Sequence, residues 1–232
     1  MCVYRLLLLY FCHWAMVCSG LAFQGLSTEE VNAHQYPPSI QWIDIEGYKA
    51  RFNNMPPMNV GFDLDGAILF ATAIVEKHCP NCTSEKFLEK QATMYQKMNC
   101  DDVRYTLPKR IGKTLIAYHQ ARGDKLYFIT ARGSSPCVDA GYSINDWIKE
   151  TFEIKQMNPV VFTKTDFGRG SKTSWLKERN LAVYLGDSDS DIQAAIDAGI
   201  LGIRIMRPGN SLNRSGNNIG KFGEMVIRRS DI

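Results

Sequence analysis

Residues 59–70 read "NVGFDLDGAILF". The first half is apolar and rich in β-formers, as a strand covered on both faces must be. It runs into two carboxylates, Asp63 and Asp65, with a single leucine between them. An Asp-Gly pair that turns the chain after a strand accounts for Asp65 and Gly66. Asp63 is left unexplained, because a second carboxylate beside the first adds repulsion and desolvation cost unless a cation offsets it.

Outward from this stretch, strand-like and helix-like segments alternate. "KLYFITA" (125–131), "PVVFT" (159–163), "LAVYLGD" (181–187) and "LGIRIM" (201–206) read as further strands. "LPKRIGKTLIAYHQARG" carries Ile111, Leu115, Ile116 and Tyr118 on a helical period and stops near Gly123. "DSDIQAAIDAG" starts at acidic caps and stops at Gly199. Strands alternating with helices imply right-handed crossovers and an α/β fold with a Rossmann-like parallel sheet flanked by helices. A ligand site in such a sheet lies beyond the carboxyl ends of its strands. Polar residues stand at those ends. Thr130 and Arg132 follow "LYFI", Asp187, Asp189 and Asp191 follow "AVYLG", and Lys172 opens a helix in "GSKTSWLKERN". The segment 71–107, largely helical in pattern, is placed to form a cap over that site.

The 232 residues, 45% of them hydrophobic, suffice for one core with a small insertion, and a net charge of +3 with scattered Lys and Arg does not suggest a nucleic acid polymer as partner. Residues 1–22 have one basic residue, Arg5, before a short apolar run that reaches Gly20 and Ala22, the layout of a secretory signal peptide. The alternative is a single-pass anchor, for which the run is short against the roughly 20 residues a span needs. Cleavage after Ala22 leaves no membrane anchor, an arm or first helix over 23–57, and a main domain over 58–232. Cys79, Cys82, Cys100 and Cys137 then remain, and their pairing stays open. "HCPNC" (78–82) suits a structural disulfide; its zinc and redox readings lack a second CxxC and the expected strand–helix setting. His78 and His119 have no partners at ligand spacing and read as surface or packing residues, and Trp42, Trp147 and Trp175 as core.

Asp-x-Asp, then Thr, then Lys, then Gly-Asp-x-x-x-Asp, in this order, resembles the haloacid dehalogenase (HAD) superfamily of phosphoryl-transfer enzymes. "PPMNVGFDLDGAILF", "YFITAR", "MNPVVF", "KTSWL", "YLGDSDSDI" and "FGEMVI" are similar to the bacterial class B non-specific acid phosphatases, from about Pro37 onward and most weakly between Ala71 and Tyr105. The resemblance implies an exported, periplasmic, Mg2+-dependent enzyme that hydrolyses small phosphomonoesters, with an aspartyl-phosphate intermediate, phosphate transfer to alcohols, and a homo-oligomer, a tetramer. By the same resemblance Asp63 and Asp187 would give Mg2+ a carboxylate oxygen, Asp65 a backbone carbonyl, and Asp191 would hold a metal-bound water. Asp63 would be the nucleophile and Asp65, facing the other way along the extended backbone, the acid and base. Thr130, the backbone of Ala131 and Arg132 would bind phosphate, and Lys172 would offset Asp63 and the phosphoryl charge. For Arg132 an exposed structural role is the alternative. The metal would be the cation that the two carboxylates require.

The family has an acid and a threonine where this chain has Gly66 and Ala67. The lost hydroxyl bears on how Asp65 is positioned, so lower activity is expected, and Ala67→Thr is expected to raise turnover. A silent phosphate-ester-binding relative and a thiol or metal protein built on "HCPNC" are the rivals. A receiver-like phospho-acceptor is disfavoured by the close spacing of Asp63 and Asp65.

Overall fold

The computed structural model describes residues 40–232, except 84, 87–88, 91–93, 95–96, 99–100, 102–104, 133–142, 164–171 and 213–215. The expected export signal and most of the arm lie outside these residues. Among the described residues no helix is long and apolar enough to cross a membrane.

The fold is α/β, built on a parallel sheet. β2 (Asn59–Asp63) pairs in parallel with β5 (Lys125–Thr130) on one side and β7 (Val183–Gly186) on the other. β6 (Val161–Phe162) extends the β5 side, and β8 (Leu201–Ile205), β9 (Met225–Ile227) and β1 (Gln41–Ile43) extend the β7 side. The five strands expected from "NVGFDL", "KLYFITA", "PVVFT", "LAVYLGD" and "LGIRIM" are all present. β1 and β9 are additions. The "QWI" of the presumed arm pairs with "MVI" instead of opening a helix, and Asp44 then caps α1 (Ile45–Phe52) by accepting from Gly47 N at 2.6 Å. Three-residue segments are too short for their alternation to distinguish a strand from a turn.

Side chains along each strand go alternately to opposite faces, and so does the core. Val60, Phe62, Leu126, Phe128, Val183 and Leu185 pack with Tyr48 and Phe52 of α1, with Ile111, Leu115 and Ile116 of α3 (Arg110–Arg122), and with Trp147 and Ile148 of α4 (Ile144–Thr151). Ile129 and Tyr184 face the other way, onto Trp175 and Leu176 of α5 (Lys172–Glu178) and Ala194 and Ala195 of α6 (Asp189–Ala198). Helices therefore cover both faces, which is why the central strands have no polar side. Trp42, expected in the core, is only partly buried.

The helix ends follow local chemistry. α3 stops at Gly123, whose φ of 80° closes the last turn, and α6 stops in the same way at Gly199. The start of α6 corrects the expectation of acidic caps. Ser188 is the N-cap, and it forms a capping box with Asp191, whose carboxylate accepts from Ser188 N at 3.1 Å.

After β2 the chain turns into β3 (Leu69–Phe70), which pairs antiparallel with β4 (Leu107–Pro108). The segment between them begins with α2 (Thr72–His78) and has a small apolar cluster of its own, including Ile74, Val75, Met94 and Met98. Cys79 and Cys82 are disulfide-bonded there, and His78 Nε2 lies 2.8 Å from Asp101 Oδ2. Cys100 and Cys137 fall outside the described residues.

Under α1, His119 is fully buried between Tyr48 and Asp124, with both contacts at 2.7 Å. A carboxylate can only accept, so His119 Nδ1 donates to Asp124, and Nε2 of the neutral ring accepts from the Tyr48 hydroxyl. Burial holds the imidazole below its ordinary pKa of 6.5, and the Asp124 hydrogen bond opposes that. As pH falls below this value the unfolded chain takes up a proton that folded His119 refuses, so stability falls with it. His119→Gln should lose about 1–3 kcal/mol at neutral pH and show a shallower decline toward pH 5 than the parent, checked by thermal unfolding across that range. A second test concerns Gly186, where a Cβ would lie 2.4 Å from Cβ of Asp191. Gly186→Ala should cost about 1–3 kcal/mol in urea unfolding by overpacking this crossing.

Candidate active site

A parallel sheet points its strand carboxyl ends in one direction, and here that edge concentrates acids. Asp63 is the last residue of β2 and only 6% exposed; Asp187 follows β7, and Asp191 sits in the first turn of α6. Each of the three offers a carboxylate oxygen, and these atoms lie within 4.8 Å of one another. A compact set of hard, buried oxygen donors fits a divalent cation of the Mg2+ or Ca2+ class better than a soft metal.

Fixed cations surround them. Lys172 Nζ is 2.5 Å from Asp63 Oδ1 and 2.6 Å from Asp191 Oδ1. Arg207 Nε donates to Asp187 Oδ2, and Arg204, fully buried, donates to the Asp187 carbonyl at 3.0 Å and binds Glu224. Burial pushes the Asp63 carboxyl well up from its ordinary range; Lys172 opposes this, and Asp191 and Asp187 add to it. Burial also works to neutralise Lys172, but Asp191 and Asp63 outweigh it and raise its pKa well above the usual value. For Asp191 burial is again the largest influence, and it is overcome by Lys172 and the Ser188 donors, which hold this carboxyl low.

Asp65 lies apart from these three. β2 ends at Asp63, so its direction is not set by strand alternation as expected. A turn carries it, with Ile68 N and Leu69 N both bonding Leu64 O at 3.1 and 3.0 Å. The Arg132 fork then holds its carboxylate, Nε to Oδ2 at 2.7 Å and Nη2 to Oδ1 at 2.5 Å. Arg132 is 0% exposed, which removes the exposed structural alternative. Thr130 ends β5, and its hydroxyl accepts from Arg132 N at 3.2 Å.

The residues singled out from sequence therefore converge. Asp63, Asp65, Thr130, Ala131, Arg132, Lys172, Asp187 and Asp191 all line one open cleft. Asp189, one of the acids at the expected start of α6, is not its cap. It accepts from Asn218 N and Nδ2 at 2.9 and 2.6 Å and from Arg204 at 3.1 Å, and so anchors the loop around 216–221.

Arg207 and Lys109 were not foreseen. Arg207 stands just past β8, a strand end like the others, and the rule that placed Thr130 could have found it. Lys109 had no signal, since a lysine at the start of an amphipathic helix ordinarily faces water. A second, smaller cavity adjoins the cleft. Asp65 and Arg207 line both, and Ala71, Thr72, Val75, Met98 and Leu212 give the smaller one an apolar wall.

Residues 27–215 match the family model for the HAD superfamily, subfamily IIIB (acid phosphatase). The class B acid phosphatase of Xenorhabdus bovienii is 35% identical over 213 residues, covering 89% of this chain and 86% of that protein. That of Enterobacter sp. strain 638 is 36% identical over 209 residues, covering 88% and 85%. Among solved structures, a HAD family hydrolase from Deinococcus radiodurans with bound phosphate and sodium has a TM-score of 0.49 at 13% identity, over 75% of this chain and 92% of that one. The chain belongs to the HAD superfamily, subfamily IIIB, the acid phosphatases, and is a phosphomonoesterase of that family.

Proposed function

We propose that the protein is a Mg2+-dependent acid phosphatase that hydrolyses small phosphomonoesters through a phosphorylated Asp63. The observation that carries this is Asp63 itself, buried at a strand end with Lys172 on one oxygen, Asp187 and Asp191 close by, and Asp65 one residue beyond Leu64. Enzymes of this superfamily use a metal ion, and Asp63, Asp187, Asp191 and the backbone carbonyl of Asp65 are the groups that would hold Mg2+ here. When bound, the ion supplies positive charge that lets an anionic nucleophile approach an anionic phosphate.

The chain's own groups do the rest. An oxygen of Asp63 attacks phosphorus in line; the new P–O bond forms as the ester P–O bond breaks, and Asp65 gives the departing oxygen its proton. Asp65 then takes a proton from water as that water displaces Asp63 from phosphorus. The Thr130 hydroxyl and the Ala131 N–H bind phosphoryl oxygens, while Lys172 counters their charge. Arg132 holds Asp65 at both carboxylate oxygens, which orients it toward the leaving group. The apolar wall of Ala71, Val75, Met98 and Leu212 suits the leaving group of an aryl or nucleoside ester. The layout of residues 1–22 supports export to the periplasm, and the family resemblance supports a homotetramer and transfer of phosphate to alcohols.

With 4-nitrophenyl phosphate at acid to neutral pH, Mg2+ should support turnover, chelator should remove it, and Asp63→Asn should abolish it in a folded protein. Binding without turnover in the parent would instead favour a silent relative. Val75→Asp should raise KM for the aryl ester severalfold while leaving the inhibition constant of inorganic phosphate nearly unchanged, measured by steady-state kinetics.

A further inference from the structure

Lys109 lies in the body of the protein, at the residue before α3, with 0% of its surface exposed. Burying an ammonium is costly unless its donors are met and its charge is balanced. Burial pulls its pKa down to about 7, against the opposing influence of Asp187 and Asp231. A methionine would fill nearly the same volume at no such cost, so the amine must be answering a local need.

Its contacts show what that need is. Nζ donates to Gly66 O at 2.8 Å and to Met206 O at 2.7 Å, and the backbone N–H of the same residue donates to Ile68 O at 2.8 Å. Gly66 and Ile68 belong to the turn that carries Asp65, and Met206 immediately precedes Arg207. The side chains of this turn are packed in the core, with Leu64, Ala67, Ile68 and Leu69 all at 0% exposure, and Lys109 adds a hold on its backbone from outside the turn. Gly66 has a φ of 85°, and position 67 is an alanine with no hydroxyl to tie the loop. Arg132 grips the Asp65 carboxylate from the cleft side, which sets the side chain but not the backbone beneath it.

We infer that Lys109 is a positioning residue for Asp65, clamping the backbone of the turn from the protein interior and tying it to the segment that bears Arg207. The inference rests on Asp65 being the proton donor of the proposed reaction, and it separates two classes of substrate. An alkyl phosphate leaves as a strongly basic alkoxide and needs the proton from Asp65, whereas 4-nitrophenolate leaves without one. A turn that no longer holds Asp65 in place therefore penalises the alkyl ester selectively.

The test compares kcat/KM, which reports only steps up to leaving-group departure, for an alkyl phosphate and for 4-nitrophenyl phosphate. Lys109→Met should lose at least about tenfold more on the alkyl ester than on the aryl ester, and Lys109→Arg, which keeps a charged donor, should recover part of the difference. Should Lys109→Met fail to fold, Lys109→Gln keeps one donor and carries the same comparison. Equal losses on both esters, or no loss on either, would overturn the role assigned to Lys109 while leaving the phosphatase intact. A folded parent that hydrolyses neither ester would overturn the phosphatase reading, and this one with it.

Discussion

One ammonium group, that of Lys172, is shared between Asp63 and Asp191, and the geometry of the carboxyl edge depends on that sharing. Three carboxylates with oxygens within 4.8 Å of one another would push one another out of the ionised state in a buried site. Lys172 and Arg207 each relieve part of that repulsion from a different element, α5 and the segment after β8. The carboxylates can therefore stay together before any ligand arrives, so the protein does not need to gather them when a metal binds. Arg204 extends the arrangement one layer inward by holding the Asp187 carbonyl, Asp189 and Glu224 together.

Much of the fold could be read from the chain because parallel strands buried on both faces leave an unambiguous trace. The runs around Phe62, Phe128 and Leu185 are apolar throughout, and glycines at 123 and 199 mark where the intervening helices stop. The edge strands escaped notice for the opposite reason. β1 and β9 have three residues each, and what makes them strands is their pairing with each other and with β8, a long-range event with no local signature. Ser188 was overlooked as the cap of α6 because the neighbouring aspartates offered equally good capping chemistry on paper; the capping box with Asp191 decides it.

The site followed the same division. Residues at the ends of recognisable strands, Asp63, Thr130 and Asp187, could be found from position alone, and Lys172 from its place at the head of a helix. The partners that hold them were harder to see. Arg132 could be found from its place after β5, but its hold on Asp65 could not, and that contact and the one between Arg207 and Asp187 span 67 and 20 positions. Lys109 is an extreme case, since its acceptors are backbone carbonyls and carry no sequence identity at all. A reading based on residue types finds the groups that carry charge to the substrate more readily than those that hold the scaffold behind them.

The disulfide between Cys79 and Cys82 closes a ring across only three positions of sequence. The entropy a crosslink removes from the unfolded chain grows with the length of the loop it closes, so this bond contributes less than one joining distant segments. Its hold is also confined to the inserted segment, whose cluster of Ile74, Val75, Met94 and Met98 is separate from the cores on either face of the sheet. Among the described residues, this bond therefore bears on the inserted segment and not on the cores that flank the sheet. Oxidation of this thiol pair would be registered in the segment beside the cleft, where Val75 and Met98 line the smaller cavity.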